Sequence, residues 1–227
     1  IEKKPLFHFF PGSKILSAGA SGCNFHCDFC QNWQISQCEN KNLIKLSPED
    51  LAEKALDLVS SGNIGVAYTY SEPVIMIEYV LEAAKIIREK GLKNVFVSNG
   101  YIEENPLLDL LEYIDAFNID VKAFSEGSYL KNFSADFNVI KKNLKLINSK
   151  VRHLEISCLI VPGINDKIEE GEKFFEWLSE IDQNIPVHIN LYYPCYKSNE
   201  QATSMKNLVA IKDVAEKYMK FVYVGNI

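Results

Sequence analysis

Three cysteines stand close together near the start of the chain, in a C-x3-C-x2-C pattern formed by Cys23, Cys27 and Cys30. Thiolates bind soft metals, and an iron–sulfur cubane usually takes four of them. Three thiolates from one loop would hold a four-iron cluster and leave its fourth iron open to a ligand. The pattern therefore favours a site at which chemistry occurs at the open metal position.

The alternative for these thiolates is a single zinc ion, with His26 or Cys38 as the fourth ligand. Zinc modules generally use two separated cysteine pairs, and the sequence has no second pair. Six cysteines in 227 residues also fall far below the roughly 8–10% of a disulfide scaffold. The cysteines thus predict a cytoplasmic protein with a metal site, and they favour iron–sulfur over zinc.

Short β-branched or aromatic segments alternate with longer segments of helical period. Strands are predicted to start near Lys14, Ile64, Val95, Ala116, His153, Pro186 and Phe221. Helices are predicted over residues 48–60, 73–90, 168–181 and 204–220. This repetition implies βαβ units and a parallel sheet. We expect an α/β fold in one domain over residues 1–227: an incomplete (β/α) barrel of six or seven mostly parallel strands. A doubly wound open sheet is the competing architecture.

Polar side chains share one face on three of the predicted strands, because side chains alternate along a strand. These sets are Asn118, Asp120 and Lys122; His153, Glu155 and Ser157; and His188, Asn190 and Tyr192. Burying such groups without partners costs about 2–7 kcal/mol for each polar group. We therefore predict that the barrel interior holds a polar ligand. The alternatives are internally paired charges or a wetted polar face.

The composition excludes several classes of protein. Lys and Arg number 24 against 30 Asp and Glu, a net charge of −6, which argues against a nucleic-acid partner. No apolar run approaches the roughly 18 residues of a membrane helix, so no membrane partner is expected. The first residues lack the apolar segment of a signal peptide. The chain begins with Ile1 rather than Met, as expected for an excerpt of a longer protein.

The cysteine loop, with the aromatic Phe29 before its last cysteine, resembles the radical S-adenosylmethionine (SAM) signature. The segments 3–14, 22–25 and 30–33 resemble more specifically the AmmeMemoRadiSam-system radical SAM enzymes, which are relatives of the pyruvate-formate-lyase activating enzymes. The resemblance covers essentially the whole chain. It implies a radical SAM fold and a 4Fe–4S cluster held by Cys23, Cys27 and Cys30, which are then both the metal ligands and the catalytic residues.

The resemblance also implies SAM-binding residues at the ends of successive strands. Glu72 and Ser71 match the place of the family's Gly-Gly-Glu-Pro motif, although Tyr70 and Ser71 replace its two glycines. Glu72 would bind the SAM amino group, Lys122 the carboxylate, and Asp120 a ribose hydroxyl or the ammonium. Further cofactor contacts are implied for Phe29, Ser98, Asn99, Val161 and His188.

The implied activity is reductive cleavage of SAM to methionine and a 5′-deoxyadenosyl radical, which takes a hydrogen atom from a substrate. Activating enzymes take it from a protein or peptide, and the lateral opening of an incomplete barrel would admit a chain. The alternatives are a radical SAM enzyme that modifies a small molecule and a zinc-stabilised binding module without catalysis. The resemblance further implies an electron donor of the flavodoxin or ferredoxin type. The remaining cysteines are too dispersed for an auxiliary cluster within this chain.

Overall fold

A computed structural model describes residues 2–3, 6–38, 43–150 and 153–227, and one sheet organises the fold. Its strands are β1 Glu2–Lys3, β2 Lys14–Ala18, β3 Asn63–Tyr68, β4 Lys93–Ser98, β5 Ala116–Asp120, β6 Leu154–Ile160, β7 Val187–Leu191 and β8 Val222–Gly225. The strands lie in chain order. Strands β2 to β8 pair in parallel, and the two-residue β1 pairs antiparallel with β2.

Within the described residues, no ladder joins β8 back to β1 or β2, so the barrel is incomplete. Strands in sequential order with a helix on each return confirm the predicted incomplete barrel over the doubly wound sheet, whose strand order reverses at a switch point. All seven predicted strands form, each starting within two residues of the expected position. The strand β1 was not predicted.

Eight α-helices accompany the described strands: α1 Trp33–Ser36, α2 Pro48–Asp57, α3 Ile77–Glu89, α4 Glu104–Tyr113, α5 Glu126–Phe133, α6 Phe137–Lys150, α7 Ile168–Ile181 and α8 Met205–Tyr218. Helix α2 begins as its sequence predicts, because the Ser47 side chain accepts a hydrogen bond from the Asp50 N–H and Pro48 occupies the first turn. Residues 73–90 divide into a 3₁₀ turn, Pro73–Met76, and α3.

Two apolar cores lie on opposite faces of the sheet. The larger one packs the helices against the outer face, and it contains Cys158, which is fully buried there. The smaller one lies inside the barrel at the amino ends of the strands, and it joins Leu6 to Ile15, Ala67, Val95 and Ala116. The segment before β2 therefore fills this end of the barrel.

A buried carboxylate fastens that segment. Glu155 on β6 accepts hydrogen bonds from the N–H groups of Phe7, at 2.9 Å, and His8, at 2.8 Å. Its two oxygens also contact Nε2 of His153, at 2.7 Å, and of His188, at 2.5 Å. The prediction of a polar ligand is thus wrong for this end of the interior, where the alternative of internally paired groups describes the molecule.

Candidate active site

A cavity of about 240 Å³ opens at the carboxyl ends of the strands. Its charged or thiol-bearing lining residues are Cys23, Cys27, Cys30, Glu72, Asp120 and Lys122. Carboxyl ends are where parallel α/β folds bind ligands, because the loops that follow the strands converge there. The chain thus gathers in one place residues that are almost a hundred positions apart in sequence.

The three thiols come from the loop that follows β2, and none of them forms a disulfide. The Cys23 sulfur accepts a hydrogen bond from the Phe25 N–H at 3.3 Å, and the Cys30 sulfur lies 3.0 Å from the Ser36 hydroxyl. Burial raises the pKa of Cys27 to about 12 and also raises that of Cys23. Burial withdraws the water that would stabilise a thiolate, and a bound metal would supply a positive charge that stabilises it instead.

This donor set fits an iron–sulfur cluster. Three soft sulfur ligands line one cavity, and the aromatic ring of Phe29 forms part of its wall. Among the described residues, no three His, Cys, Asp or Glu side chains are grouped closely enough to hold a single metal ion. A lone zinc ion needs ligands that converge within about 2.0–2.3 Å of one point. The geometry therefore gives no support to the zinc alternative.

Glu72 is the buried carboxylate of the cavity, with 2% of its surface exposed. It accepts hydrogen bonds from the Ser98 hydroxyl at 2.7 Å and from the N–H groups of Asn99 at 2.8 Å and Val74 at 3.2 Å. Burial outweighs these bonds and raises the pKa of Glu72 to about 7. An ammonium ligand would favour its ionised form, because an opposite charge at short range lowers the pKa of a carboxyl group.

Asp120 and Lys122 project from the end of β5 and form an ion pair, with Nζ and Oδ2 2.9 Å apart. Burial opposes the charged form of Lys122, but Asp120 and the Cys27 sulfur raise its pKa above the ordinary value. Of the described residues that line the cavity, Lys122 alone has a side chain that is a cation at neutral pH. The cavity therefore offers one cationic and two acidic groups to a ligand.

A tight turn after β3 brings Glu72 into the cavity. The Ser71 N–H donates to the Thr69 carbonyl at 3.0 Å, which places Tyr70 in the left-handed region at φ = 70°. Asn32 of the cysteine loop donates to the Tyr70 carbonyl at 2.7 Å. Gly19 permits the close approach, because a Cβ at that position would lie 2.9 Å from the Thr69 carbonyl oxygen. The turn that carries Glu72 is thus bonded to the loop that carries the cysteines.

Most of the residues predicted to bind the cofactor line this cavity, and two do not. Phe29, Ser71, Ser98 and Asn99 line it together with the charged and thiol groups, whereas Val161 and His188 lie outside its lining. Val161, the first residue after β6, is fully buried. His188 lies near the start of β7, where it contacts Glu155.

On β7, Asn190 lines the cavity and His188 does not. It lies two residues further along β7 on the same face, and its side chain donates to the Ser157 hydroxyl at 3.0 Å. The alternation of polar residues identified the face correctly, but it did not determine which position reaches the open end. Asn24 was also missed, although its side-chain oxygen accepts a hydrogen bond from Asn99 at 2.7 Å.

Comparison with known proteins places these features in a context. A profile described as the Radical SAM superfamily matches residues 19–178, which include the cysteine loop and strands β3 to β6. The uncharacterized protein MJ0808 of Methanocaldococcus jannaschii is 35% identical over 232 residues, and the alignment covers 100% of this chain and 68% of the relative.

Two relatives with named activities are more distant. The 7-carboxy-7-deazaguanine synthase of M. jannaschii is 24% identical over 221 residues, with 92% of this chain and 87% of the relative covered. The pyruvate formate-lyase-activating enzyme of Staphylococcus epidermidis is 22% identical over 171 residues, with 71% and 67% covered. They show that similarity extends to proteins with different named activities.

The fold itself is shared with solved structures. Streptococcus suis SuiB bound to S-adenosylmethionine superposes with a TM-score of 0.69 at 13% identity, covering 94% of this chain and 50% of that protein. At this identity the similarity concerns the fold alone. No helix in the described part of this chain is long and apolar enough to cross a membrane.

Proposed function

Because this chain belongs to the radical SAM superfamily, we propose that Cys23, Cys27 and Cys30 hold a 4Fe–4S cluster whose open iron binds SAM. Members of the superfamily use this cluster and SAM. The observation that supports the assignment is the convergence of three free thiols and the Glu72 carboxylate on one cavity. The zinc module is disfavoured because no three of the described His, Cys, Asp or Glu side chains are grouped so as to hold a single metal ion.

When bound, the cluster and SAM supply one-electron cleavage to methionine and a 5′-deoxyadenosyl radical, which abstracts a hydrogen atom. The protein binds and orients the reactants and excludes water. Glu72 would accept hydrogen bonds from the ammonium of SAM, while Lys122 would pair with its carboxylate and Asp120 with a ribose hydroxyl or the ammonium. Ser98 and the Asn99 N–H hold the Glu72 carboxylate in place. The Phe29 ring provides an apolar wall beside the sulfurs.

The substrate that we propose is a protein or peptide, from which the radical takes a hydrogen atom. Two observations support it: the similarity to an activating enzyme and the sheet, in whose described part no ladder joins β8 to β1 or β2. An electron donor of the flavodoxin or ferredoxin type and a cytoplasmic location accompany this proposal. Both follow from a cluster that must be reduced and protected from oxidation.

A small-molecule substrate is the second candidate, because a synthase of a small molecule is also among the relatives. The two are distinguished by supplying the loaded enzyme with a deuterated cell extract, separated by dialysis into macromolecules and small solutes. Deuterium that enters 5′-deoxyadenosine from the macromolecular fraction supports a protein substrate. Transfer from the small solutes alone supports the second candidate.

The enzymatic proposal is tested by anaerobic reconstitution with iron and sulfide, reduction, and chromatography for 5′-deoxyadenosine. We expect the wild-type protein to cleave SAM and Cys27→Ala to lose cluster and cleavage together. Cys38→Ser is the matched control, since Cys38 is exposed and does not line the cavity. A fully loaded wild-type protein that leaves SAM intact, or cleavage that survives in Cys27→Ala, would overturn the proposal. One zinc per chain without sulfide would favour the binding module.

A further inference from the structure

The loop that follows β7 crosses over to the cysteine loop. The N–H groups of Lys197 and Ser198 both donate to the Asp28 carbonyl, each at 2.9 Å. Asp28 stands between Cys27 and Cys30 in sequence. Backbone groups from opposite ends of the chain are therefore bonded directly beside two of the proposed cluster ligands.

Aromatic rings reinforce this contact. Tyr196 stacks on Trp33, which begins α1, with ring centres 5.2 Å apart and planes 14° apart. The Lys197 ammonium lies 5.0 Å from the centre of the Tyr196 ring. The Cys195 thiol donates to the Cys30 carbonyl at 3.5 Å. The whole contact, Cys195–Ser198 on one side and Asp28–Trp33 on the other, is called the clasp below.

Tyr192 contacts both sides of the clasp. The Tyr192 hydroxyl donates a hydrogen bond to the Ser198 hydroxyl at 2.8 Å. The Tyr192 ring packs edge-on against the Phe29 ring, with ring centres 6.4 Å apart. Because Phe29 also lines the cavity, the contact between Tyr192 and Phe29 connects the clasp to the candidate active site. Its contacts all fall at the same end of the barrel as the thiols.

The backbone of Tyr196 is unusual, because its φ of 59° lies in the left-handed region. Glycine adopts this conformation without steric cost, whereas a bulky aromatic residue rarely does. An aromatic ring at a position that favours glycine suggests that the ring itself has a use. The Tyr196 ring stacks on Trp33 and also faces the Lys197 ammonium.

The location of the clasp suggests what that use is. In the described part of the chain no ladder joins β8 to β1 or β2, and the cysteine loop follows β2 at this seam. The clasp nevertheless connects the two sides of this seam, because it joins the loop after β7 to the cysteine loop after β2. Groups around metal ligands fix their orientation and control solvent access, and both affect the properties of a cluster.

We propose that Tyr196 is a positioning residue which, by stacking on Trp33, fastens the clasp over the cysteine loop and shields the cluster from water and oxygen. This inference rests on the proposed function for the cluster, but the mechanical part of it does not. The stack holds the Lys197 and Ser198 amides on the Asp28 carbonyl in the metal-free protein too.

The first test is amide hydrogen exchange in the metal-free protein. Tyr196→Ala and Tyr196→Gly should accelerate amide exchange at Lys197 and Ser198 by about two- to tenfold. This is the change in the opening equilibrium that loss of one aromatic pair produces. Tyr196→Phe should retain protection, and Tyr193→Ala, an exposed tyrosine in the same loop, serves as the control. Protection that is unchanged in Tyr196→Ala would overturn the mechanical claim. Tyr196→Gly relieves the backbone strain, so its behaviour separates the ring from the backbone.

The second test uses the reconstituted protein. We expect the visible absorbance of the cluster to decay several-fold faster in air in Tyr196→Ala than in wild type, with Tyr196→Phe restoring the lifetime and shifting the reduction potential little. Equal lifetimes in Tyr196→Ala and wild type would overturn the shielding role. If the wild-type protein takes up no cluster, the proposed function fails instead, and the exchange experiment still judges the clasp.

Discussion

Two buried glutamates at opposite ends of the barrel behave in opposite ways. Glu155, at the amino end, is fully buried and contacts two histidines and two backbone N–H groups. Burial alone would raise its pKa, but these partners hold the pKa well below the usual range. Glu72, at the carboxyl end, accepts three hydrogen bonds from neutral donors, and burial raises its pKa to about 7.

The difference distinguishes a polar group that the fold itself compensates from one that a ligand would compensate. The Glu155 carboxylate is compensated by the protein itself, so it stabilises the filled amino end of the barrel. The Glu72 carboxylate lacks a compensating cation in direct contact among the described residues, and a cationic ligand would supply it. Buried charge alone does not identify a binding site, but an undercompensated charge in a cavity does favour one.

The largest effect is expected from Glu155→Ala. Removing the carboxylate leaves four donors without their acceptor, so the free energy of unfolding should fall by about 3–5 kcal/mol. Urea unfolding at neutral pH measures it. The control is Glu104→Ala, which removes an exposed ion pair with Lys142 and should cost less than about 1 kcal/mol. Equal losses in the two variants would show that the carboxylate of Glu155 has no special structural role.

Glu72→Gln should instead raise the free energy of unfolding of the metal-free protein. A raised pKa means that the native state binds the proton more tightly than the unfolded state, so stability falls as pH rises from about 4.5 to 7. Glutamine mimics the protonated acid, and the variant should be more stable than wild type by about 1–3 kcal/mol above neutral pH, an advantage that disappears in acid. Unfolding curves across this pH range give the comparison.

The same variant should bind SAM more weakly in the loaded protein. Loss of a charge-assisted contact worth about 1.5–3 kcal/mol corresponds to roughly a ten- to hundredfold rise in Kd. Equilibrium dialysis with labelled SAM measures the affinity. A Glu72→Gln protein that is less stable than wild type and binds SAM equally well would remove the distinction between the two glutamates.

A smaller contrast is expected between two neighbours on β7. His188→Gln should lower stability by about 1–3 kcal/mol, because it disturbs the Glu155 cluster, and leave SAM affinity unchanged. Asn190→Ala should leave stability nearly unchanged and weaken SAM binding by about two- to tenfold, as expected for one hydrogen bond. If His188→Gln instead weakened SAM binding, the original prediction for His188 would be restored.

The smallest effect concerns the turn before Glu72. Tyr70→Gly removes a left-handed non-glycine residue, so it should raise the free energy of unfolding by up to about 1 kcal/mol after the entropy cost of glycine is counted. Tyr193→Gly, which is also exposed but has no positive φ, should not stabilise the protein. Stabilisation by both substitutions, or by neither, would show that the turn stores no strain.

Local patterns predicted much of this fold. Short β-branched or aromatic segments between helical ones identified seven strands, and the cysteine spacing identified the loop that lines the cavity. The sequence pattern did not predict how far along the barrel axis each polar residue lies. The register of neighbouring strands determines this, and it places Asn190 rather than His188 at the open end. The sequence pattern also did not predict that residues 6–10 fill the amino end of the barrel. Their contacts with Glu155 join residues that are almost 150 positions apart in sequence.

The most direct measurement is electron paramagnetic resonance of the reduced, reconstituted protein with SAM that carries ¹⁵N in its amino group. The account predicts a nitrogen hyperfine coupling to the cluster that appears on adding SAM, because three thiolates leave one iron open to the amino group. A cluster that forms fully yet shows no coupling and no spectral change with saturating SAM would contradict the account.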